Sequence, residues 1–262
     1  MVGALLFIAA ARIGPRAALG NMKDLGQTAA LIVLYQLVLP LGALALVLGF
    51  GLSAAPLAIA AVLMLAAPSI SGSPNFTALM GHDPAPPMRL LILGTAIFPV
   101  TVLPVLWLMP GLGETRDVLI AAGRLLAVIA GAVGLGFAFR RMILPQPGEP
   151  QIRKLDGAGA ILLGVLVIGL MSALGPALRT APQHVLWWLL AVCILNFGFQ
   201  IAAFLILRRP GVSIVAGNRN IALFLVALPE EVTRPLLVFI GCYQIPMYLT
   251  PIVMAPLYRR KT

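Results

Sequence analysis

Acidic side chains are scarce in this sequence: eight Asp and Glu among 262 residues, beside only two histidines and two cysteines. Each shortage excludes something. A metal centre or a hydrolytic site needs acids, bases, thiols or imidazoles gathered closely. Here His82 and His184 fall at opposite membrane faces, and Cys193 and Cys242 lie inside apolar runs, where small core residues are the ordinary reading. No disulfide, metal site or catalytic group is expected, and the chain does not read as an enzyme. Charged residues make up 10% of the chain, against roughly 25% in an average soluble domain, too few to cover a water-facing surface. No charge run or low-complexity linker divides the sequence, so 1–262 reads as one domain.

What is abundant is hydrocarbon, with 61% of residues hydrophobic. In a bilayer every backbone N–H and C=O must find a partner within the protein, which leaves helices or closed barrels, and the alternating pattern of a barrel strand is absent. The expected fold class is therefore an all-α polytopic membrane bundle. A span needs about 20 apolar residues. Segments 27–51, 90–112, 118–139, 157–174, 185–207 and 236–258 qualify, the last with kinks expected at Pro246 and Pro251. Two more, 54–80 and 212–228, contain helix-breaking islands. This makes eight crossings. Residues 1–11 form a short apolar stub, which reads as a signal peptide, a real but short helix, or the tail of a helix whose beginning is missing, with a truncated or mis-assigned start favoured. The polar connection 146–156, with Pro147 and Pro150 in it and Pro145 just before it, is expected to be extended.

The net charge of +10 is a topology signal, because the cations alternate between loops. Arg12, Arg16, Lys23, Arg89, Arg140, Arg141, Arg153, Lys154, Arg208, Arg209, Arg259, Arg260 and Lys261 occupy one set of loops, and only Arg116, Arg179 and Arg234 the other. The positive-inside rule then puts the C-terminus in the cytoplasm and Met1 outside, in a bacterial-type inner (cell) membrane. The expected macromolecular surroundings are a lipid bilayer and no nucleic acid.

The two islands carry the functional signal. An unbroken helix over 54–80 would reach about 40 Å, beyond a hydrocarbon core of about 30 Å. The run Pro68, Ser69, Ile70, Ser71, Gly72, Ser73, Pro74, Asn75 breaks it, with Ser73 expected as N-cap and Pro74 as first residue of a second half-helix. The second island is Ala216, Gly217, Asn218, Arg219, Asn220, with Asn218 or Asn220 expected to cap the half-helix on its C-terminal side. Arg219 falls well inside the bilayer. Paired interrupted helices are the sequence pointer to a transporter binding site, since they bring half-helix ends and free backbone groups to the midplane. Candidate binding residues are accordingly Ser71, Ser73, Asn75, Asn218, Arg219 and Asn220.

At these islands the chain resembles the bile acid:sodium symporter family over nearly its whole length. The family's first motif, a proline and small residues before Ser-Asn, is similar to Pro68 to Asn75, with Pro74 inserted. Its second, Glu-Val-Gly-Met-Gln-Asn, corresponds to Val215, Ala216, Gly217, Asn218, Arg219 and Asn220, with Gly217 and Asn220 matching. Gln36 to Pro40 and Asn196 to Phe199 also resemble family segments, and Gln36 (or equally Tyr35) falls near a family sodium ligand. The resemblance implies two inverted five-helix repeats, here about 1–112 and 118–262 without the first helix, and alternating-access transport of a small organic anion. It also implies sodium. However, Val215 and Arg219 stand where the family has sodium-binding Glu and Gln, and an arginine opposes a neighbouring cation, which argues against sodium coupling of the family's kind. No other cofactor is implied. Arg219 could contact a carboxylate or replace a bound sodium as a fixed tether between the two islands. The rival reading is a membrane scaffold or sensor that keeps the fold without transporting.

Overall fold

The computed structural model describes residues 1–14, 22–52, 55–109 and 115–259, and these form helices and turns with no strand. Five helical stretches, Asp24–Gly49, Thr115–Met142, Glu149–Thr180, Pro182–Leu207 and Glu230–Val253, are long and apolar enough to cross a membrane. Their outward faces are apolar too: Ile161 is 71% exposed, Ile168 74%, Trp187 69% and Ile206 79%. Leaving such side chains in water forgoes about 1.5–3 kcal/mol apiece, whereas lipid solvates them. The chain is an all-α bundle of membrane-protein character.

In chain order the helices are α1 (Val2–Ile13), α2 (Met22–Val33), α3 (Leu39–Gly49), α4 (Pro56–Ala66), α5 (Ser73–Leu79), α6 (Ala85–Thr101), α7 (Leu103–Leu108), α8 (Thr115–Met142), α9 (Glu149–Met171), α10 (Leu174–Thr180), α11 (Pro182–Leu207), α12 (Pro210–Gly217), α13 (Phe224–Ala227), α14 (Glu230–Thr233), α15 (Leu237–Val253) and α16 (Ala255–Tyr258). A π-helical turn, Leu34–Val38, joins α2 to α3 without a break. It inserts one extra residue per turn and brings Tyr35 and Gln36 inward together, 3% and 2% exposed.

One expectation is corrected. The connection 146–156 is not extended throughout, because α9 already begins at Glu149. Gly148 donates its backbone N–H to Gln151 Oε1 (2.6 Å), and Pro150 sits in the first turn, where a missing N–H costs nothing. Segment 1–11 is helical, forming most of α1. α1 lies against α8 so closely that a Cβ on Gly136 would come within 2.7 Å of the Ala10 Cβ. Phe7 meets Phe139 edge-on at 5.5 Å. At the C-terminal end of α1, Arg140 donates to the carbonyls of Ala11 (3.4 Å) and Arg12 (3.3 Å), and Arg12 pairs with Asp156 of α9.

Both islands lose their helical hydrogen bonds. α4 stops at Ala67, whose ψ of 150° is extended, and Pro68 cannot donate to continue it. α12 stops at Asn218, with φ −106° and ψ 93°. The freed backbone groups then satisfy each other: Asn220 N–H donates to Pro68 O (2.8 Å), Ile70 N–H donates to Asn218 O (3.2 Å), and Ser69 faces Arg219 as an isolated antiparallel pair. Two short extended segments inside a hydrocarbon environment can persist only if they pair in this way.

Candidate functional site

The polar residues around this join divide into two groups. The first group is used up in holding the join together. Asn196 on α11 donates to Gly217 O (2.7 Å) and to Asn218 Oδ1 (3.2 Å). Gln200, one turn on, donates to Asn196 Oδ1 (2.7 Å) and Thr250 Oγ1 (3.1 Å), and accepts from the Tyr258 hydroxyl (3.2 Å). Asn218 Nδ2 donates back to Ile214 O (2.9 Å). The Tyr243 hydroxyl accepts from Arg219 N–H (2.9 Å) and donates to Gly217 O. Ser69 donates to Ser73 Oγ (2.9 Å). Asn196, Gln200, Asn218, Thr250 and Tyr243 are all fully buried, so a network lacking one member would leave a dry polar group unpaired.

Arg219 belongs to this group as well. Its Nε donates to Ala216 O (3.0 Å) and its Nη1 to Ala67 O (3.1 Å), and the guanidinium lies 4.7 Å above the Tyr35 ring. Tyr35 is held in turn by its hydroxyl on Val212 O (3.2 Å). Of Arg219 only Nη2 lacks a partner.

The second group is free. Ser71, Asn75 and Asn220 line a cavity of about 380 Å³, within the usual range for a small-molecule site, and their side chains make no hydrogen bond to another described residue. Thr95, Gln244 and Arg219 also line it. Most of the rest of the wall is apolar: Val2, Leu5 and Ala9 from α1, Leu91 from α6, Leu163 and Leu166 from α9. Among the described residues Arg219 is the one charged residue lining the cavity, and no carboxylate lines it. The arrangement can hold a mostly apolar molecule with a hydrogen-bonding head near a positive charge.

Of the expected site residues, then, Ser71, Asn75, Arg219 and Asn220 come together at the cavity, and Ser73, Asn218 and Gln36 do not. Ser73 is not the N-cap. The helix starts one residue earlier, after Gly72, because the Ser73 hydroxyl is taken by Ser69 and its carbonyl by Thr77 (2.8 Å). Neither Asn218 nor Asn220 caps the following turn by a side-chain bond; Asn218 instead closes the helix before it. Gln36 packs on Gly94 and accepts from Thr101 Oγ1 (2.8 Å). Sequence reasoning offered Tyr35 as an alternative to Gln36, and missed Thr95, Gln200, Tyr243, Gln244 and Thr250 as part of this region. The available signal was the rarity of amides inside apolar spans, which singles out Gln200 and Gln244.

The two threonines of α6 give a paired prediction. Thr101→Val orphans Gln36 Oε1 and is expected to lower stability by about 1–3 kcal/mol. Thr95→Val removes a buried hydroxyl that has no partner and is expected to leave stability unchanged or raised. Melting curves of both variants in one detergent check the contrast, and equal losses would contradict it.

No family model matches this sequence, and no curated protein matches it.

Proposed function

We propose that this chain is a secondary transporter that moves a small organic anion by alternating access. On this reading it is a bile acid:sodium symporter-like protein with its C-terminus in the cytoplasm, 1–112 and 118–262 are inverted repeats, and the two interrupted segments are the crossing helices. The observation that supports it best is the coincidence of three features at one spot. Two interrupted helices meet through Ser69 and Arg219, an apolar cavity opens beside them, and its free polar groups Ser71, Asn75 and Asn220 sit next to a buried positive charge. An ionisable residue within a membrane segment is by default a candidate functional residue, and Arg219 Nη2, which has no hydrogen-bond partner among the described residues, is a donor left over for an anionic head.

The test is uptake into proteoliposomes of a panel of radiolabelled aromatic and alicyclic carboxylates and sulfonates, with empty liposomes as control. Protein-dependent accumulation of at least one anion, saturable and competed by its relatives, is the expected result. Folded, correctly inserted protein that moves none of them would favour the scaffold or sensor reading.

A further inference from the structure

The resemblance to a sodium-coupled family implies a bound sodium ion at the join, and the residues present do not fit one. We propose that Arg219 is the join's own cation, occupying with its guanidinium the position between the C-terminal ends of α4 and α12 that an exchangeable ion would otherwise take. The proposal stands on the join itself and not on the transport reading.

The charge balance is the core of it. An α-helix C-terminus carries roughly half a negative elementary charge, spread over its last free carbonyls. α4 and α12 both end at the join, and their terminal carbonyls point at one place. Ala67 O accepts from Arg219 Nη1 at 3.1 Å and Ala216 O from Nε at 3.0 Å. Two half-charges converge, and one guanidinium, carrying a full positive charge, balances both. The Tyr35 ring beneath it, 4.7 Å away, adds the negative face of an aromatic quadrupole. A carboxylate is not needed for this balance, and Arg219 pairs with none among the described residues. It is the one charged side chain among the buried described residues, at 1% exposure.

The same geometry keeps sodium out. A metal ion coordinated by the Ala67 and Ala216 carbonyls would lie within a few Å of the guanidinium, and like charges repel strongly in a low-dielectric interior. The uncommitted side-chain oxygens of Ser71, Asn75 and Asn220 line the cavity that Arg219 also lines, so an ion held there meets the same repulsion. The carboxamide oxygens of Asn218 and Asn196 already accept from Asn196, Thr250 and Gln200. Because the arginine is covalently part of the chain, and its backbone N–H is anchored on Tyr243, the cation cannot leave when the protein changes conformation. An exchangeable ion could be released and carry coupling energy; Arg219 cannot.

The proposal is tested without any ligand. Purified protein in nanodiscs is melted in sodium, potassium and choline chloride at equal ionic strength, as wild type, Arg219→Ala and Arg219→Lys. The wild-type midpoint is expected to be the same in all three salts, and a rise in sodium alone overturns the proposal. Arg219→Ala, which leaves the convergent carbonyls unpaired, is expected to melt about 10 °C lower and to recover part of that loss in millimolar guanidinium. Melting with the wild type, or no recovery in guanidinium, assigns Arg219 to packing and overturns it. If Arg219→Ala yields no folded protein, Arg219→Lys decides. Its ammonium keeps the charge but lacks the fork that spans two carbonyls, so an intermediate midpoint in all three salts supports the proposal. A sodium-specific rise in that variant, or a midpoint equal to wild type, overturns it.

Discussion

Gly217→Ala is expected to abolish accumulation of folded protein in the membrane. A Cβ at this position would collide with the backbone carbonyl of Asn196 and come within 2.6 Å of Gln200 Cγ. Backbone cannot give way as a flexible side chain does. Relief requires α12 to move off α11, and that movement breaks the Asn196 bonds to Gly217 O and Asn218 Oδ1 together with the Tyr243 contact to Gly217 O. Overpacking alone costs about 1–3 kcal/mol, and each buried polar group left unpaired adds about 1–3 kcal/mol. The sum is comparable with the whole stability of a typical domain, about 5–15 kcal/mol. Size-exclusion profiles of detergent extracts measure the effect. A monodisperse Gly217→Ala peak at wild-type yield would show that the two helices are not held so closely.

The double variant Asn75→Ala, Asn220→Ala is expected to behave in the opposite way, keeping the fold and losing the activity. Neither carboxamide bonds to another described residue; Asn75 is exposed to the cavity side and Asn220 half-buried. Their truncation therefore removes no internal contact, and melting should shift little. If the pair supplies hydrogen bonds to an anionic head, each is worth about 1.5–3 kcal/mol, and together they account for a loss of about 100-fold or more in the uptake rate at low substrate. Initial rates of proteoliposome uptake, read beside melting curves, check both halves. Unchanged uptake would move the binding site away from this cavity, whereas a collapsed fold would place the two amides with the residues that hold the join.

Much of this architecture is written locally in the chain. Helical membrane segments follow from composition, because a sequence with so few charges can bury its backbone only by bonding it within helices. The interruptions are equally local. Pro68 and Pro74 lack N–H donors, and Gly72, Gly217 and the neighbouring Ser and Asn residues favour non-helical backbone. The division of labour among polar residues could not be read that way. Ser71 and Ser73 are two positions apart with the same hydroxyl, yet one faces the cavity and the other is consumed by Ser69. Asn218 and Asn220 differ in the same sense. The π-helical turn at Leu34–Val38 has no marker in the sequence that distinguishes it from an ordinary apolar helix.

Residue order near each position was sufficient for the class of protein, for where its helices break, and for the burial of a lone arginine. It was not sufficient for what that arginine touches. Ala67 and Arg219 are 152 residues apart, and nothing in either neighbourhood indicates that their carbonyl and guanidinium will meet. Helix breaking is a property of a residue and its immediate neighbours, whereas hydrogen-bond partnership depends on which helix ends the whole bundle brings face to face. The packing of α1 as a cavity wall, the withdrawal of Gln36 to Thr101 and the turning of Arg219 toward two helix ends are therefore decided only by the tertiary structure.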